Sequence, residues 1–191
     1  HPEKMNTEDD EIGGAKDPYS YSKACVELVV ESYRQLYKDV KIATARGGNV
    51  IGGGDFGKDR IIPDCVRAAH QHKPMYIRNP TYTRPWQYVL DLLNGYLKLI
   101  DAMERNLVNG GVWNFGPSNK TYSVLEVVQM FGKKWDDFQI ECGESKINES
   151  PVLNIDSKKS LYALDWENIY SMEQMLEDTF DCYYSLLYTS A

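Results

Sequence analysis

One predicted helix, residues 20–38, constrains the fold more than any other segment, because its apolar side chains point to two separate sides. A helix that covers one neighbour buries a single apolar stripe. Here a second apolar group lies apart from the first and consists of Val26, Val30, Tyr33 and Tyr37. We therefore predict that this helix is buried on both sides. A β-rich run at residues 40–45 follows it directly and indicates a parallel strand.

The remaining segments alternate between helical and extended patterns, which is typical of an α/β fold with a parallel sheet. Further helices are predicted at residues 61–72, 91–105, 124–135 and 172–187, and extended segments at residues 75–78, 86–89 and 112–115. Ser123 and Glu126 have the spacing of a capping box at a helix start. No repeat or low-complexity tract divides the chain.

The start of the first helix carries the pattern Tyr19-x-x-x-Lys23, directly after Asp17-Pro18. Residues four apart on a helix share a face. A lysine ammonium beside a phenol favours the phenolate, which can act as a general base toward a sugar or alcohol hydroxyl. Tyr37 and Lys41 repeat this spacing, but there a helix gives way to a strand. We therefore select Tyr19 and Lys23 as the candidate catalytic pair.

The composition describes an acidic globular chain with a formal net charge of -7, which argues against a nucleic-acid partner. No apolar run approaches the roughly 20 residues of a membrane span, and no signal-peptide pattern opens the sequence. The cysteines form no C-x-x-C pair, which favours reduced thiols in the cytoplasm. His70 and His72 fit an exposed helix end better than a metal site, so no metal is predicted.

Three arginines, Arg60, Arg78 and Arg84, flank the loops of residues 47–85. Guanidinium groups beside glycine-rich backbone suit a pyrophosphate, which they bind through bidentate hydrogen bonds. The same spacing is equally consistent with the alternative that each of the three is an ordinary surface arginine. Asn49 follows the predicted strand, and ligands of open α/β sheets lie at the carboxyl ends of strands. These four residues form the candidate ligand-binding set.

Residues 52–57, Gly-Gly-Gly-Asp-Phe-Gly, fit the G-x-G-x-x-G pattern of a dinucleotide-binding turn. Such a turn needs a strand before it and a helix that starts on it. Here Lys58, Asp59 and Pro63 stand between the turn and the helix, and the next strand ends in Arg78 rather than in an acidic residue. We therefore predict a flexible loop.

Four segments, in this order, resemble the nucleotide-sugar branch of the extended short-chain dehydrogenase/reductase superfamily: Tyr19-x-x-x-Lys23, Ala45-Arg46-Gly47-Gly48-Asn49-Val50-Ile51-Gly52, Arg84-Pro85-Trp86-Gln87-Tyr88-Val89 and Trp113-Asn114-Phe115-Gly116-Pro117. Within that branch, Asp17-Pro18-Tyr19-Ser20, Asp59-Arg60-Ile61-Ile62-Pro63-Asp64 and Arg78-Asn79-Pro80 are most similar to the CDP-glucose 4,6-dehydratases. The similarity covers nearly the whole chain. Phe56 stands where those enzymes usually have tryptophan.

The resemblance implies an NAD-dependent enzyme that converts CDP-glucose to CDP-4-keto-6-deoxyglucose. Tyr19 would take the proton of the glucose 4-hydroxyl as hydride passes to NAD, while Lys23 would hold the nicotinamide ribose. Water would then leave from C5 and C6, and hydride would return to C6. Asn49 and Arg84 would bind the sugar-nucleotide phosphates, and Arg60 and Arg78 the nucleotide end. The resemblance also implies a cytoplasmic homodimer, paired through the first helix, with a role in O-antigen biosynthesis.

The resemblance further implies that this chain is the C-terminal portion of such an enzyme, because the strand, glycine-rich turn and helix that bind the NAD pyrophosphate have no counterpart here. We expect residues 1–52 to be the remainder of an incomplete Rossmann domain. Residues 53–191 would form mainly a smaller, interleaved α/β lobe for the nucleotide sugar, with residues 86–116 returning to the Rossmann domain. Two alternatives stay open: another nucleotide-sugar dehydratase or 4-epimerase of the superfamily, and a non-catalytic fragment that binds a nucleotide sugar or a partner.

Overall fold

A computed structural model describes residues 5–12, 17–117, 121–143 and 150–188 as an α/β fold, which confirms the predicted class. Its helices are α1 (Pro18–Leu36), α2 (Ile61–His70), α3 (Val89–Glu104), α4 (Val124–Gly132), α5 (Lys158–Leu164) and α6 (Met172–Tyr188). Its strands are β1 (Ala43–Gly47), β2 (Asn49–Ile51), β3 (Met75–Ile77), β4 (Thr83–Arg84), β5 (Trp86–Tyr88), β6 (Gly111–Phe115), β7 (Tyr122–Ser123) and β8 (Ile140–Cys142). Within these ranges, no helix has the length and apolar content needed to cross a lipid bilayer.

The strands associate in pairs, three of them parallel. β1 lies beside β6, β2 beside β5 and β3 beside β8, whereas β4 and β7 are antiparallel. The sequence predicts a loop at residues 47–57, yet β2 lies inside it. Asn49 is therefore the first residue of a second strand rather than a residue that follows the last one. The pairing of Asn49 with Trp86 explains the difference, because a strand this short is specified by its distant partner.

Two apolar cores hold these elements together. The larger core packs residues of α2, α4 and α6 against β2, β3 and β5, with Trp86 and Phe131 among its buried members. The smaller core is built around Trp113, Phe115 and Trp166. The rings of Phe115 and Trp166 meet edge to face with their centroids 4.9 Å apart, a favoured geometry for aromatic pairs. Each core packs its own helices, while the domain boundaries predicted from the sequence stay a prediction.

Helix α1 differs from its prediction, because none of its residues is buried. Val26, Val29 and Tyr33 are each more than half exposed. Val30, assigned by the sequence to the same outer side as Val26 and Tyr33, is partly buried instead. The prediction that both sides of this helix are buried is thus wrong for the described chain. The physical reason is that, in the part of the chain that the structure describes, the sheet beside α1 consists of β1 and β6, which are too narrow to cover the helix on two sides.

Asn114 on β6 ties two neighbouring segments to the end of this strand, and it is buried. Its backbone N–H donates to the Glu8 carboxylate at 2.8 Å, and its side-chain amide donates to the carbonyls of Asn6 and Asp156 at 3.0 and 3.2 Å. The Ser160 hydroxyl donates to the Asn114 carbonyl at 2.6 Å. A buried polar group with such partners specifies one arrangement of its neighbours. The segment of residues 5–12 is thereby held beside β6.

Asp91, in the first turn of α3, is buried and holds the chain that follows α5. Its carboxylate accepts the backbone N–H groups of Ile169 and Tyr170 at 3.1 and 3.3 Å, and the side-chain amide of Asn168 at 3.3 Å. The indole of Trp166 donates to the Asp91 carbonyl at 2.9 Å. A buried carboxylate needs such donors to offset its desolvation. Asp91 therefore fixes the connection between α5 and α6.

We expect Asp91→Ala to lower the free energy of unfolding by about 1–3 kcal/mol, because it removes a buried carboxylate that three N–H donors share. Urea denaturation followed by tryptophan fluorescence measures this loss. Asp101→Ala is the matched control on the same helix, since Asp101 pairs with Arg105 at the exposed surface. The control should change stability by no more than about 0.5 kcal/mol. Equal losses for the two variants would contradict the anchoring role of Asp91.

Candidate functional site

The first candidate group lies at the start of α1, where Asp17 caps the helix. The Ser20 hydroxyl donates to the Asp17 carboxylate at 2.7 Å, and the Ser20 backbone N–H donates to it at 2.9 Å. These two hydrogen bonds lower the pKa of Asp17 from its ordinary value. Pro18 occupies the first turn, where its missing N–H costs no hydrogen bond. The cap thus fixes the beginning of the helix that carries Tyr19 and Lys23.

Tyr19 and Lys23 lie together beside a cleft of about 660 Å³. The Lys23 ammonium is 5.5 Å from the centre of the Tyr19 ring, within the range of a cation–π contact. Both side chains are exposed. The other walls of the cleft come from β1 and from the segment of residues 5–12. The structure therefore brings the predicted pair together at the edge of an open cleft.

Tyr37 and Lys41, which repeat the spacing of Tyr19 and Lys23, have other partners in the structure. Tyr37 follows the last residue of α1, and its ring stacks on Tyr33 with the centroids 5.7 Å apart. The Lys41 ammonium donates to the Asn106 side chain at 2.6 Å and also to the Met103 carbonyl. Lys41 is therefore bonded to the last turn of α3 and to the residues that follow it.

A second cavity, of about 520 Å³, is bordered by three of the four predicted ligand-binding residues: Asn49, Arg78 and Arg84. Tyr82 and Trp86 add aromatic rings to its wall. Guanidinium groups bind phosphates through paired hydrogen bonds, and aromatic walls suit a flat apolar surface. This cavity therefore has the chemistry of a site for a phosphorylated ligand with an aromatic base.

Arg84 is held in place within this cavity. Its guanidinium donates to the carbonyls of Thr83 and Ser150, both at 2.9 Å, and lies 5.4 Å from the centre of the Tyr82 ring. A planar guanidinium that is already oriented loses less freedom when it binds an anion. Arg78 is exposed, and it has neither a hydrogen-bond nor an ion-pair partner in the described ranges. Arg84 is therefore the better oriented of the two arginines.

Arg60 does not border this cavity. It is exposed and pairs with Asp55 at 2.7 Å, and the hydrogen bond and charge of Asp55 raise the pKa of the Arg60 guanidinium. The structure thus separates Arg60 from Asn49, Arg78 and Arg84. The physical reason is that Asp55 holds the Arg60 side chain over the loop of residues 52–57.

The segment Gly47-Gly48-Asn49 borders both cavities, one at each of its ends. Gly47 borders the cleft beside Tyr19, and Asn49 borders the second cavity. Gly48 has no room for a side chain, because a Cβ atom there would lie 2.1 Å from the Pro85 carbonyl oxygen. The Asn49 N–H donates to the same oxygen at 2.8 Å. The Cα atoms of Gly47 and Asn49, two residues apart, are separated by at most about 7 Å, so a single extended ligand is long enough to reach both cavities.

The loop of residues 52–57 does not provide a pyrophosphate turn, in agreement with the sequence interpretation. β2 precedes it, but α2 begins only at Ile61, after a helix cap at Arg60. The Asp55 carboxylate accepts the Gly57 N–H of this loop at 2.9 Å. A carboxylate in this position repels a phosphate and competes for the amide that would bind it.

Glu27 borders the cleft as well, and the sequence analysis missed it. Its carboxylate accepts hydrogen bonds from Arg46 Nε at 2.8 Å and from the Thr44 hydroxyl at 3.0 Å. Partial burial by itself would raise the pKa of Glu27, but Arg46 and Thr44 outweigh it and lower the pKa below the ordinary value of 4.5. The sequence contains one indication of its role, because Glu27 stands eight residues after Tyr19, on the same side of the helix.

Comparison with known proteins places the chain in a family. Residues 1–116 match the NAD dependent epimerase/dehydratase family. The CDP-glucose 4,6-dehydratase of Salmonella typhimurium is 36% identical over 176 residues, which cover 85% of this chain and 49% of that protein. The UDP-glucose 4-epimerase of Pasteurella multocida is 26% identical over 192 residues, which cover 91% of this chain and 56% of that protein. The chain spans about half the length of the curated relatives it matches.

Solved structures share the fold. The dTDP-glucose 4,6-dehydratase from Bacillus anthracis, in complex with NAD, has a TM-score of 0.80 at 24% identity, covering 98% of this chain and 58% of that chain. The UDP-glucose-4-epimerase from Stenotrophomonas maltophila, with bound NAD, has a TM-score of 0.84 at 18% identity, covering 97% of this chain and 60% of that chain. These likenesses confirm the predicted Rossmann-type fold. Together with the sequence match, they show that the chain belongs to the NAD-dependent epimerase/dehydratase family.

Proposed function

We propose that this chain binds the nucleotide sugar and supplies the proton-transfer residues of an NAD-dependent nucleotide-sugar dehydratase. One observation carries the proposal: Gly47 borders the Tyr19–Lys23 cleft, and Asn49, two residues further on, borders the cavity of Arg78 and Arg84. A nucleotide sugar has a matching shape, with hydroxyls at one end, a diphosphate in the middle and a flat base at the other end. Its sugar would lie beside Tyr19 and its diphosphate beside Arg84.

Each side chain has a separate task in this proposal. Tyr19 takes the proton of the sugar hydroxyl that is oxidised, and the Lys23 ammonium lies beside the Tyr19 ring. Arg84 binds the diphosphate through its oriented guanidinium, and the Asn49 amide adds a hydrogen bond. NAD, when bound, supplies the hydride acceptor. Tyr19 and Lys23 suit its nicotinamide end, whereas its pyrophosphate needs residues other than the loop of residues 52–57.

The proposed substrate is CDP-glucose, and the proposed product is its 4-keto-6-deoxy derivative. The support is the identity of 36% to the Salmonella dehydratase, against 26% to the Pasteurella epimerase. A 4-epimerase is the second candidate, because it begins with the same oxidation of a sugar hydroxyl. Mass spectrometry of the product, made by the enzyme that contains this chain, distinguishes the loss of water from isomerisation at unchanged mass.

Arg84→Ala is expected to weaken CDP-glucose binding by about 1.5–3 kcal/mol, the range for a hydrogen bond to a charged group. Calorimetric titration measures the change, and titrations with UDP-glucose and dTDP-glucose rank the three bases. Arg84→Lys should recover part of the loss, because an ammonium cannot present a planar fork. Arg60→Ala is the matched control, since Arg60 lies outside the cavity. An unchanged Kd for Arg84→Ala would contradict the assignment.

In the enzyme that contains this chain, Tyr19→Phe should lower turnover by about 10²–10⁴-fold, the usual contribution of a general base. Affinity for the nucleotide sugar should remain, because the ring is kept and the cavity of Arg84 is untouched. Steady-state kinetics separate the two effects. Tyr37→Phe, at the other end of the same helix, is the control and should matter little. Similar losses for both variants would mean that Tyr19 is not the base.

We also propose that the enzyme is a homodimer in which α1 pairs with the same helix of a second copy. Val26, Val29 and Tyr33 form an exposed stripe along α1 at helical spacing. Soluble proteins rarely leave a continuous apolar stripe in water. A contact between two identical stripes around a two-fold axis is self-complementary. This stripe is therefore the surface that we assign to the homodimer implied by the sequence resemblance.

Val29→Lys is expected to shift the protein to monomers in sedimentation velocity, because it places two ammonium groups in the proposed contact. Val29 is a better target than Val30, which is partly buried against the body of the molecule. Tyr162→Lys is the control, since Tyr162 is also an exposed apolar side chain but lies on α5. A wild-type protein that stays a well-folded monomer at high micromolar concentration would contradict the dimer.

A further inference from the structure

Glu27 is the point at which α1 is attached to the sheet. Among the described residues, the hydrogen bonds between α1 and a strand both end on its carboxylate, one from Arg46 Nε at 2.8 Å and one from the Thr44 hydroxyl at 3.0 Å. The side chains of Glu27 and Arg46 are 14% and 26% exposed. Because no residue of α1 is buried, apolar packing contributes little to the position of this helix.

The geometry of β1 explains why one carboxylate meets two donors. Thr44 and Arg46 are two residues apart on this strand, so their side chains point to the same face. Each oxygen of the Glu27 carboxylate accepts one of the two donors. A hydrogen bond between a guanidinium and a carboxylate is stronger and more directional than a neutral one. The contact therefore fixes both the rotation of α1 and its position along the strand.

Tyr19, Lys23 and Glu27 follow each other at intervals of four residues and so lie along one side of α1. Eight residues of α-helix correspond to about 12 Å. Since a helix moves as a stiff unit over this distance, the attachment of Glu27 sets where Tyr19 and Lys23 stand. Arg46 and Gly47, at the end of β1, border the same cleft as Tyr19.

We propose that Glu27 and Arg46 are positioning residues, whose ion pair sets the place of Tyr19 and Lys23 relative to the end of β1. The inference rests on the proposed function, because it takes Tyr19 as the proton-transfer residue. Glu27 and Arg46 act on the reaction through α1 and β1. A displacement of about 1 Å at a reacting group can lower a rate by about 10²-fold, so a shift of the helix is sufficient for a large effect.

Glu31 provides the contrast within the same helix. It bonds to Arg34 and Gln35, and all three residues belong to α1. Its ion pair therefore stabilises the helix without attaching it to a strand. Glu31→Gln removes a carboxylate of the same size from the same helix and is the matched control for Glu27→Gln.

The first test is kinetic and uses the enzyme that contains this chain. We expect Glu27→Gln and Arg46→Leu each to lower kcat roughly 10–100-fold with little change in KM for the nucleotide sugar, because neither residue lines the cavity proposed for its diphosphate and base. Glu31→Gln should leave both constants unchanged. The exchanged pair, Glu27→Arg with Arg46→Glu, should recover much of the lost kcat. A normal kcat for Glu27→Gln would overturn the proposal. So would an exchanged pair whose loss of kcat equals the product of the losses in the two single variants.

The second test separates attachment from folding and from the proposed function. In hydrogen exchange, Glu27→Gln should speed the exchange of the α1 amides while α4 keeps its protection. Equal acceleration of α1 and α4 would mean a loss of fold and would overturn the proposal. Tyr19→Phe belongs in the same kinetic series. If Tyr19→Phe keeps full turnover, the proposed function fails; if only Tyr19→Phe is impaired and Glu27→Gln behaves as Glu31→Gln does, the positioning inference alone fails.

Discussion

The site depends on the close approach of Gly48 to the carbonyl oxygen of Pro85. A Cβ atom at Gly48 would lie 2.1 Å from this oxygen, so the contact exists because residue 48 has no side chain. The same oxygen accepts the Asn49 N–H and starts the pairing of β2 with β5. This contact holds the junction between β1 and β2 against the residue that precedes β5. As a result, Gly47 borders the cleft of Tyr19 while Asn49 borders the cavity of Arg84.

The two halves of the site are held by different forces. The cavity of Asn49 and Arg84 lies against a large apolar core that includes Trp86 and Phe131, and apolar burial of this kind contributes most of the stability of a domain. Helix α1 has no buried residue and meets β1 through the Glu27 carboxylate. The proposed binding residues are thus fixed by packing, whereas the proposed proton-transfer residues are fixed by a charged contact.

This arrangement suits a family that includes both dehydratases and epimerases. Both reactions begin when a hydroxyl of a nucleotide-bound sugar is oxidised, and one base beside a cleft serves this step in either case. A cavity that binds the nucleotide can remain the same while the later steps differ, if it is separate from the residue that takes the proton. The identity of 36% to a dehydratase supports dehydration as the proposed reaction, and an epimerase is among the relatives at 26% identity.

The sequence by itself determined the features that depend on residues close together along the chain. The start of α1 after Asp17-Pro18, the shared face of Tyr19 and Lys23, and the capping box of Ser123 and Glu126 all follow from neighbouring residues, and the structure contains each of them. Only the tertiary structure decided which arginines share a cavity, since Asp55 draws Arg60 away while Thr83 and Ser150 hold Arg84 in place. It also decided the exposure of α1 and the attachment of Glu27 to Arg46. The physical reason is that spacing along the sequence specifies contacts within one or two helical turns, whereas contacts between distant residues depend on strand pairing and on close approaches such as that of Gly48 to Pro85.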